Sequence, residues 1–387
     1  MKPVNRVFGA LGTTVFEVMS SLAREHGAIN LGQGFPDEDG PEDVRRAAAE
    51  AIMAGPNQYP PMMGVPELRQ AVAAHNKRFY GLDVDWQRET MVTSGATEAL
   101  AACLMGMLNP GDEVILFEPL YDSYLPIVRS LRAIPRLVRL EPPDWALPRK
   151  VLEETFNERT RAILINSPMN PAAKVFDAEE LAFLAALVER HDAVAICDEV
   201  YEHLVFDGLK HVPLMTLPGM RERCLRIGSA GKSFALTGWK VGWVTAAPRL
   251  LEPVAKAHQF ITFTTPPNLQ KGAAFGLGKQ DAYFADFAAG QQRKRDLLSD
   301  GLRRLGFGVL DTAGTYFVSA DVRPLGINGT DVDVCRHLTR HAKVAAVPVS
   351  AFYESAKVEH LIRFCFCKKD AVLEEAVDRL ARFFARG

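Results

Sequence analysis

The middle of the chain alternates short apolar, β-rich runs with segments of helical periodicity, and this alternation limits the possible folds most strongly. The runs lie at residues 113–119, 134–140, 161–166, 193–198, 225–228 and 241–246. Strands that are separated by helices tend to pair in parallel, because the chain must cross back over the sheet between them. The sequence therefore predicts an α/β fold with a large, mostly parallel sheet between two layers of helices.

Both ends of the chain are expected to form a second, smaller unit. A chain of 387 residues, 48% of them hydrophobic, can bury more than one core. From residue 281 a long charged helix leads into short segments at 307–322, 337–347 and 361–367, an α+β pattern. We expect an N-terminal arm with part of the small domain in residues 1–45, a large α/β/α domain in 46–280, and the rest of the small α+β domain in 281–387.

The composition argues against several classes of partner. The net charge is -2, and both signs are interspersed without a basic block, which favours neither nucleic acid nor a membrane surface as partner. No apolar run approaches the roughly 18 residues that a membrane-spanning helix requires. Small-molecule substrates are therefore expected.

The six cysteines are scattered through mostly apolar runs, as expected of reduced thiols in a cytoplasmic protein. Cys365 and Cys367 resemble half of a metal site, but no second pair matches them. His337 and His341 have the spacing of two ligands on one helical face, yet the glutamate of a zinc-protease motif is missing. No metal is predicted.

Lys232 lies among small and apolar residues, and a second cation, Lys240, follows eight positions later. Desolvation and a neighbouring cation both favour the neutral amine, which is the nucleophilic form of lysine. The hydroxyl of Ser229 and the ammonium of Lys240 can converge on one anion. The stretch predicts a phosphate-binding site beside an imine-forming lysine. Taken alone, it would also fit a surface lysine in a glycine-rich loop.

A predicted strand at residues 90–94 ends in small polar residues that begin a helix. Backbone N–H groups at a helix start, aided by the helix dipole, bind phosphate. Gly95, Ala96 and Thr97 are therefore candidates for a phosphate cup, with an ordinary capped helix as the alternative.

Polar residues follow several of the other strands. Asp198 ends an apolar run, where a carboxylate is costly to bury without a positive partner. Tyr201, Asn170 and Tyr121 also follow predicted strands, at the sheet edge where α/β proteins bind ligands. Each residue alone fits a cap or a turn. Together they predict one polar site.

Seven motifs, spread over nearly the whole chain, resemble those of the class I/II, fold-type I aminotransferases. They are Gly32-Gln-Gly34-Phe-Pro, Asn57-Gln-Tyr59, Ser94-Gly-Ala-Thr97, Asn166-x-Pro-x-Asn170-Pro, Asp198-Glu-Val-Tyr201, Ser229-x-x-Lys232 and Ile362-Arg363-Phe-Cys-Phe. The resemblance implies pyridoxal 5'-phosphate as cofactor and transfer of the amino group of an L-amino acid to a 2-oxo acid by a ping-pong mechanism.

The resemblance also implies roles for individual residues. Lys232 would carry the cofactor and act as the base, and Asp198 would pair with the protonated ring nitrogen. Tyr201 and Asn170 would hydrogen-bond the ring's 3-oxygen, and Tyr121 would stack on the ring. The remaining contacts to the cofactor would come from Gly95, Ala96, Thr97, Ser229, Lys240 and, across the interface of a homodimer, Tyr59.

For the substrate, the resemblance implies that Arg363 binds the α-carboxylate with two donors, helped by the Gly34 backbone and Asn170. Phe263 would reach the site from the partner subunit. The side chain of the substrate would then meet a set of apolar and aromatic residues, expected to be Tyr59, Phe263, Tyr121 and Phe352.

The residues of several motifs are most similar to those of the kynurenine, glutamine and methionine transaminase branch. Lys240 stands where arginine is commonest, and Thr264 stands where some kynurenine enzymes carry histidine. No second arginine is evident for a distal carboxylate, so methionine, glutamine or aromatic amino acids are the expected donors.

The alternatives on the same scaffold are a β-lyase acting on cystathionine or cysteine S-conjugates, and a biosynthetic transaminase such as the N-succinyldiaminopimelate enzyme. A regulatory protein that borrows the fold would need a preceding DNA-binding domain.

Overall fold

The computed structural model describes residues 2–355 and 358–385. Its largest sheet has seven strands: β2 (Thr90–Thr93), β3 (Glu113–Glu118), β4 (Ile134–Arg139), β5 (Thr160–Asn166), β6 (Val194–Asp198), β7 (Cys224–Ser229) and β8 (Gly242–Ala246). β1 (Ile29–Asn30) precedes them and belongs to a separate small sheet. The order across the large sheet is β2-β8-β7-β6-β5-β3-β4. β8 runs antiparallel to both neighbours, and the other pairs are parallel. The predicted mostly parallel sheet is confirmed.

Most strands of this sheet are buried along their whole length, because helices cover both faces. The first helices are α1 (Val15–His26), α2 (Glu42–Ala54), α3 (Pro66–Tyr80), α4 (Gly95–Met107), α5 (Tyr124–Ser130), α6 (Arg149–Thr155) and α7 (Ala178–Arg190). They continue with α8 (Ala230–Ser233), α9 (Pro248–Ile261) and α10 (Pro267–Leu277).

The order of the strands sets the position of the site. From β3 the chain moves outward to β4 at the edge, and β5 then returns to the other side of β3. At such a reversal, the loops that follow two neighbouring strands diverge and leave a crevice at their carboxyl ends. The loops after β3, β5, β6 and β7 carry most of the polar residues that the sequence singled out.

Both chain ends contribute to the smaller sheets. β1 pairs in parallel with β11 (Val344–Ala345). A four-stranded antiparallel sheet has the order β12-β13-β10-β9 and consists of β9 (Gly308–Val309), β10 (Phe317–Asp321), β12 (Val347–Pro348) and β13 (Leu361–Cys365). The long helix α11 (Asp281–Arg304) and the helices α12 (Asp331–His337) and α13 (Asp370–Phe384) complete this part. The exact domain limits at residues 45 and 280 stay a prediction.

Within the described ranges, no helix has both the length and the apolar character that a membrane span needs.

Candidate active site

A cavity of about 330 Å³ lies at the carboxyl ends of the large sheet and is closed on one side by the small antiparallel sheet. Of the residues that the sequence predicted for the site, twelve line it: Gly34, Gly95, Ala96, Thr97, Tyr121, Asn170, Asp198, Tyr201, Ser229, Lys232, Lys240 and Arg363. Tyr59, Phe263 and Phe352 are the three that do not line the cavity of their own chain. The fold therefore brings together residues that are more than 300 positions apart in the chain.

Lys232 lies in the short helix α8, directly after β7, and is partly accessible through the cavity. Its Nζ donates a hydrogen bond of 2.6 Å to the Tyr316 hydroxyl, which in turn donates to the Gly34 carbonyl oxygen at 2.9 Å. Burial lowers the pKa of Lys232, and the nearby thiols of Cys367 and Cys365 and the Asp198 carboxylate oppose that shift. A larger fraction of the amine is therefore neutral at a given pH, as a nucleophile or a base requires.

Asp198 ends β6 and is buried at the bottom of the cavity. One oxygen, Oδ2, accepts a hydrogen bond of 2.6 Å from the Tyr124 hydroxyl, whereas the other, Oδ1, is buried without a hydrogen-bond partner. Burial raises the pKa of Asp198, and the Tyr124 hydrogen bond, the Val200 backbone N–H and the charge of Lys232 oppose the rise. An unpaired carboxylate oxygen at this depth fits a bound group that presents a protonated ring nitrogen.

One end of the cavity is built to hold an anion. α4 begins at Gly95, so the N–H groups of its first turn point into the cavity without intrahelical partners. Gly95 has a φ of +72°, and a Cβ at this position would lie 3.4 Å from Lys240 Nζ. Ser229 and Lys240 line the same cavity. Backbone donors, a hydroxyl and an ammonium group together fit a phosphate.

The opposite end is dominated by Arg363, which is almost completely buried on β13. Its Nη1 donates to Asn170 Oδ1 at 2.6 Å and its Nη2 to the Gly32 carbonyl oxygen at 3.1 Å. Its Nε is buried without a partner. Burial lowers the pKa of Arg363 to about 10, which still leaves the guanidinium charged at neutral pH. A charged guanidinium with one unused N–H donor suits the binding of a carboxylate.

Aromatic rings enclose this guanidinium. Its carbon lies 3.8 Å from the ring centre of Phe317, 4.9 Å from that of Phe352 and 5.3 Å from that of Phe16. Phe16 and Phe317 line the cavity. Phe352, which was expected to contact the substrate side chain, instead packs beneath the guanidinium and does not line the cavity.

Tyr124, Tyr316, Phe16 and Phe317 contact Asp198, Lys232 or Arg363 and were not among the predicted site residues. Tyr124 stands in the polar segment that follows β3, so its position at a strand end was a usable signal. Tyr316 is 84 positions from Lys232 and lies in the small sheet region, where no local pattern links it to the lysine. Tertiary pairing alone reveals its role in holding the amine.

Tyr59 and Phe263 form a pair on the surface of this chain. Their ring centres are 5.5 Å apart in an edge-to-face arrangement, and Tyr59 is 83% exposed. Other large apolar side chains from the adjoining helices are exposed as well: Ile52, Met53, Phe260, Ile261 and Phe275. An apolar surface of this kind is typical of a protein interface.

The chain matches the family Aminotransferase class I and II over residues 26–380. It is 45% identical over 380 residues to the probable N-succinyldiaminopimelate aminotransferase DapC of Mycobacterium tuberculosis, covering 95% of this chain and 96% of that protein. It is 38% identical over 370 residues to the methionine aminotransferase of Escherichia coli, covering 96% of each chain. The crystal structure of the Mycobacterium tuberculosis N-succinyldiaminopimelate aminotransferase superposes with a TM-score of 0.95 at 45% identity, covering 99% of this chain and 100% of that one.

The fold and the buried lysine, aspartate and arginine define a fold-type I transferase that uses pyridoxal phosphate. The chain belongs to the class I and II aminotransferases. The predicted fold class, family branch and cofactor are thereby confirmed, and the protein is an aminotransferase.

Proposed function

We propose that this enzyme transfers the amino group of an L-amino acid with an uncharged side chain, with methionine, glutamine and aromatic amino acids as preferred donors. The observation that carries this proposal is the composition of the cavity. Among the described residues that line it, the cations are Arg363, Lys232 and Lys240. The proposed mechanism assigns them to the α-carboxylate, the cofactor's aldehyde and the phosphate, so none of them is left to pair with a charged substrate side chain. The apolar lining next to Arg363, which includes Phe16 and Phe317, suits an uncharged side chain.

When bound, pyridoxal phosphate supplies an aldehyde that forms imines and a pyridinium ring that withdraws electrons from the substrate. We propose that Asp198 Oδ1 keeps the ring nitrogen protonated, with Tyr124 fixing the carboxylate through Oδ2. Tyr201 and Asn170 would donate to the ring's 3-oxygen, and Tyr121 would cover the ring face. The first turn of α4, Ser229 and Lys240 would hold the phosphate.

Lys232 Nζ is proposed to take the proton from the substrate Cα. It would then deliver the proton from the same side of the cofactor ring. Tyr316 orients this amine through the 2.6 Å hydrogen bond and is itself fixed by the Gly34 carbonyl oxygen. A side chain at position 34 is excluded, because a Cβ would lie 2.5 Å from the Phe317 ring. Gly34 therefore lets the N-terminal segment close over Arg363.

We expect Arg363→Ala to lower kcat/KM for amino acids by about 100-fold, because a charge-assisted pair of hydrogen bonds to the α-carboxylate is lost. The cofactor's visible absorbance should remain, since Arg363 faces the substrate end of the cavity. Steady-state kinetics with methionine and glutamine measure the effect. Arg323→Ala, at an exposed ion pair with Asp321, is the control and should behave as the parent enzyme does. Unchanged kinetics for Arg363→Ala would remove this residue from the site.

A second candidate substrate is N-succinyldiaminopimelate, and the 45% identity to the Mycobacterium tuberculosis relative supports it. The two candidates are separated by half-reactions in which the purified enzyme meets one amino donor at a time and the cofactor's spectrum is followed. Fastest conversion by methionine, glutamine or an aromatic amino acid supports the first proposal. Fastest conversion by N-succinyldiaminopimelate rejects it. Release of pyruvate and ammonia from cysteine S-conjugates without an added oxo acid would instead indicate a β-lyase.

We further propose a cytoplasmic homodimer. The six cysteines are all free and buried, which suits a reducing compartment. The exposed apolar side chains around Tyr59 and Phe263 suit an interface, across which Tyr59 would reach the partner's phosphate and Phe263 the partner's substrate.

A mixed dimer tests the shared site. Tyr59→Ala and Lys232→Ala should each be weakly active or inactive alone, and refolding them together should restore about a quarter of the parent activity, because half of the dimers are mixed and each has one intact site. Activity is measured after mixing, with Lys232→Ala plus the Tyr59→Ala/Lys232→Ala double variant as control. No gain on mixing would place Tyr59 outside the partner's site.

A further inference from the structure

A second cluster of buried ionisable groups lies behind the turn that carries Asp198 and Tyr201, outside the cavity. Arg226 on β7 donates to Glu199 Oε2 at 2.5 Å, to Asn76 Oδ1 at 2.8 Å and also to Glu202. All of these side chains are at most 3% exposed. Nothing in the proposed transamination uses this cluster.

Two histidines adjoin Glu202. His75 on α3 and His203, in the turn after β6, face each other with their Nε2 atoms 2.7 Å apart. One potential ligand atom from each of His75, His203 and Glu202 lies within 4.8 Å of those from the other two. Glu202 Oε2 accepts from the Tyr80 hydroxyl at 2.6 Å and from Arg226, whereas Oε1 is buried without a hydrogen-bond partner. Three metal-ligand groups thus converge, and one of them is unsatisfied.

The charges and lone pairs of the cluster suit a cation. A neutral imidazole keeps a lone pair on one ring nitrogen, and two imidazoles face each other here. Glu199 and Glu202 carry two negative charges against the single positive charge of Arg226. His211, whose Nε2 lies 2.9 Å from Glu199, and Tyr80 are further ionisable contacts of the cluster.

We propose that His75, His203 and Glu202 form a binding site for a divalent cation of the zinc class, with water as the fourth ligand. Imidazole and carboxylate are the ligands of such ions, with Zn–N distances of about 2.0–2.1 Å. A tetrahedral ion would therefore separate the two Nε2 atoms to about 3.3 Å, a shift well below 1 Å. His203 lies in a turn and is partly exposed, which allows this shift. The histidine that donates Nε2–H would move its proton to Nδ1.

We expect the bound ion to link α3 to the turn after β6, which positions active-site residues. Glu202 follows Tyr201 directly and stands four residues after Asp198. An ion bound to Glu202 and His203 on one side and to His75 on the other would hold this turn against the helix. The proposed ligands thus act on the active site by position and touch neither substrate nor cofactor.

The test uses the full-length enzyme as purified, treated with chelator and desalted. Because His337 and His341 form a second, exposed pair with ring centres 4.6 Å apart, all variants carry His337→Gln and His341→Gln to remove surface chelation. The enzyme is then equilibrated with Zn²⁺ and desalted again. We expect elemental analysis to find one retained Zn²⁺ per chain. Adding His203→Gln should weaken the affinity in calorimetric titrations by about 100-fold or more.

Two results would overturn the proposal: no retained Zn²⁺ in the His337→Gln/His341→Gln background, or the same affinity with and without His203→Gln. If His203→Gln does not fold, His75→Gln takes its place in the same titration. A measurement that needs no further substitution is the visible spectrum of the enzyme with Co²⁺. Intense bands of a tetrahedral ion support the site, and the weak bands of an octahedral, surface-bound ion reject it in favour of a metal-free histidine pair.

Discussion

Lys232→Ala is expected to lower transamination by about 10⁴-fold or more, because one substitution would remove both the proposed covalent tether of the cofactor and the proposed general base. Among the described residues that line the cavity, Lys240 carries the other side-chain amine. Lys240 Nζ lies next to Gly95 at the phosphate end, whereas Lys232 Nζ lies at the Tyr316 hydroxyl. The loss should therefore appear in kcat for every amino donor.

The measurement has two parts. Single-turnover reactions with methionine or glutamine give the rate, and borohydride treatment followed by digestion shows which peptide carries the cofactor. In the parent enzyme the peptide containing residue 232 should gain the cofactor's mass, and in Lys232→Ala no peptide should. Lys256→Ala serves as control, since Lys256 pairs with Glu252 on an exposed helical face far from these contacts in sequence. A modified peptide elsewhere in the parent enzyme would refute the assignment.

Much of this site could be predicted from sequence because its residues stand at the ends of strands. Asp198, Asn170 and the Gly95–Thr97 segment each follow an apolar run, and parallel strands bring their carboxyl ends to one edge. Lys232 was recognisable from its small, apolar neighbours. In these cases a local pattern and the topology of the sheet together determine the location.

The contacts that depend on packing between the sheets could not be predicted. Tyr316 holds Lys232 from the small-sheet side, and Phe317 contacts Arg363 because β10 and β13 pair in the observed register. Phe352 reaches the same guanidinium from the segment after β12, which pairs with β13 on its other side. An aromatic residue at such a position looks like any other core residue in the sequence. Phe352 was placed in the substrate pocket for this reason, whereas the structure shows it supporting the arginine.

The buried network around Arg226 was also invisible in the sequence. Arg226 occupies the middle of a strand that otherwise reads as apolar, and its partners Glu199 and Glu202 follow a different strand. A charge in the middle of such a strand requires opposite charges nearby, but the sequence does not say which ones. The motif Asp198-Glu-Val-Tyr201 therefore contains two kinds of carboxylate: one faces the cavity, and the other fixes the turn from behind.

Arg226→Met is expected to destabilise the fold by about 3–5 kcal/mol, because it leaves two buried carboxylates without their positive partner. Burial tends to raise the pKa of Glu202, but the charge of Arg226, which is the largest opposing cause, acts with His75, His203 and the Tyr80 hydrogen bond to hold the pKa below its usual value. A group with a lowered pKa in the folded state adds stability above its unfolded-state pKa and loses that contribution as the pH falls. Without Arg226 the shift reverses, so the variant should be least stable relative to the parent at neutral pH and closer to it in acid.

Urea unfolding at neutral and at acidic pH measures this difference. The protein concentration is held fixed, because the stability of the proposed dimer would depend on it. Arg223→Met is the matched control: Arg223 lies just before the same strand but pairs with Asp192, which is 88% exposed, so its unfolding midpoint should hardly change. Adding Glu199→Gln and Glu202→Gln to Arg226→Met should recover part of the loss by removing the uncompensated charges. Equal midpoints for Arg226→Met and Arg223→Met would show that the buried carboxylates do not depend on the arginine, and the turn behind Asp198 would then need another source of rigidity.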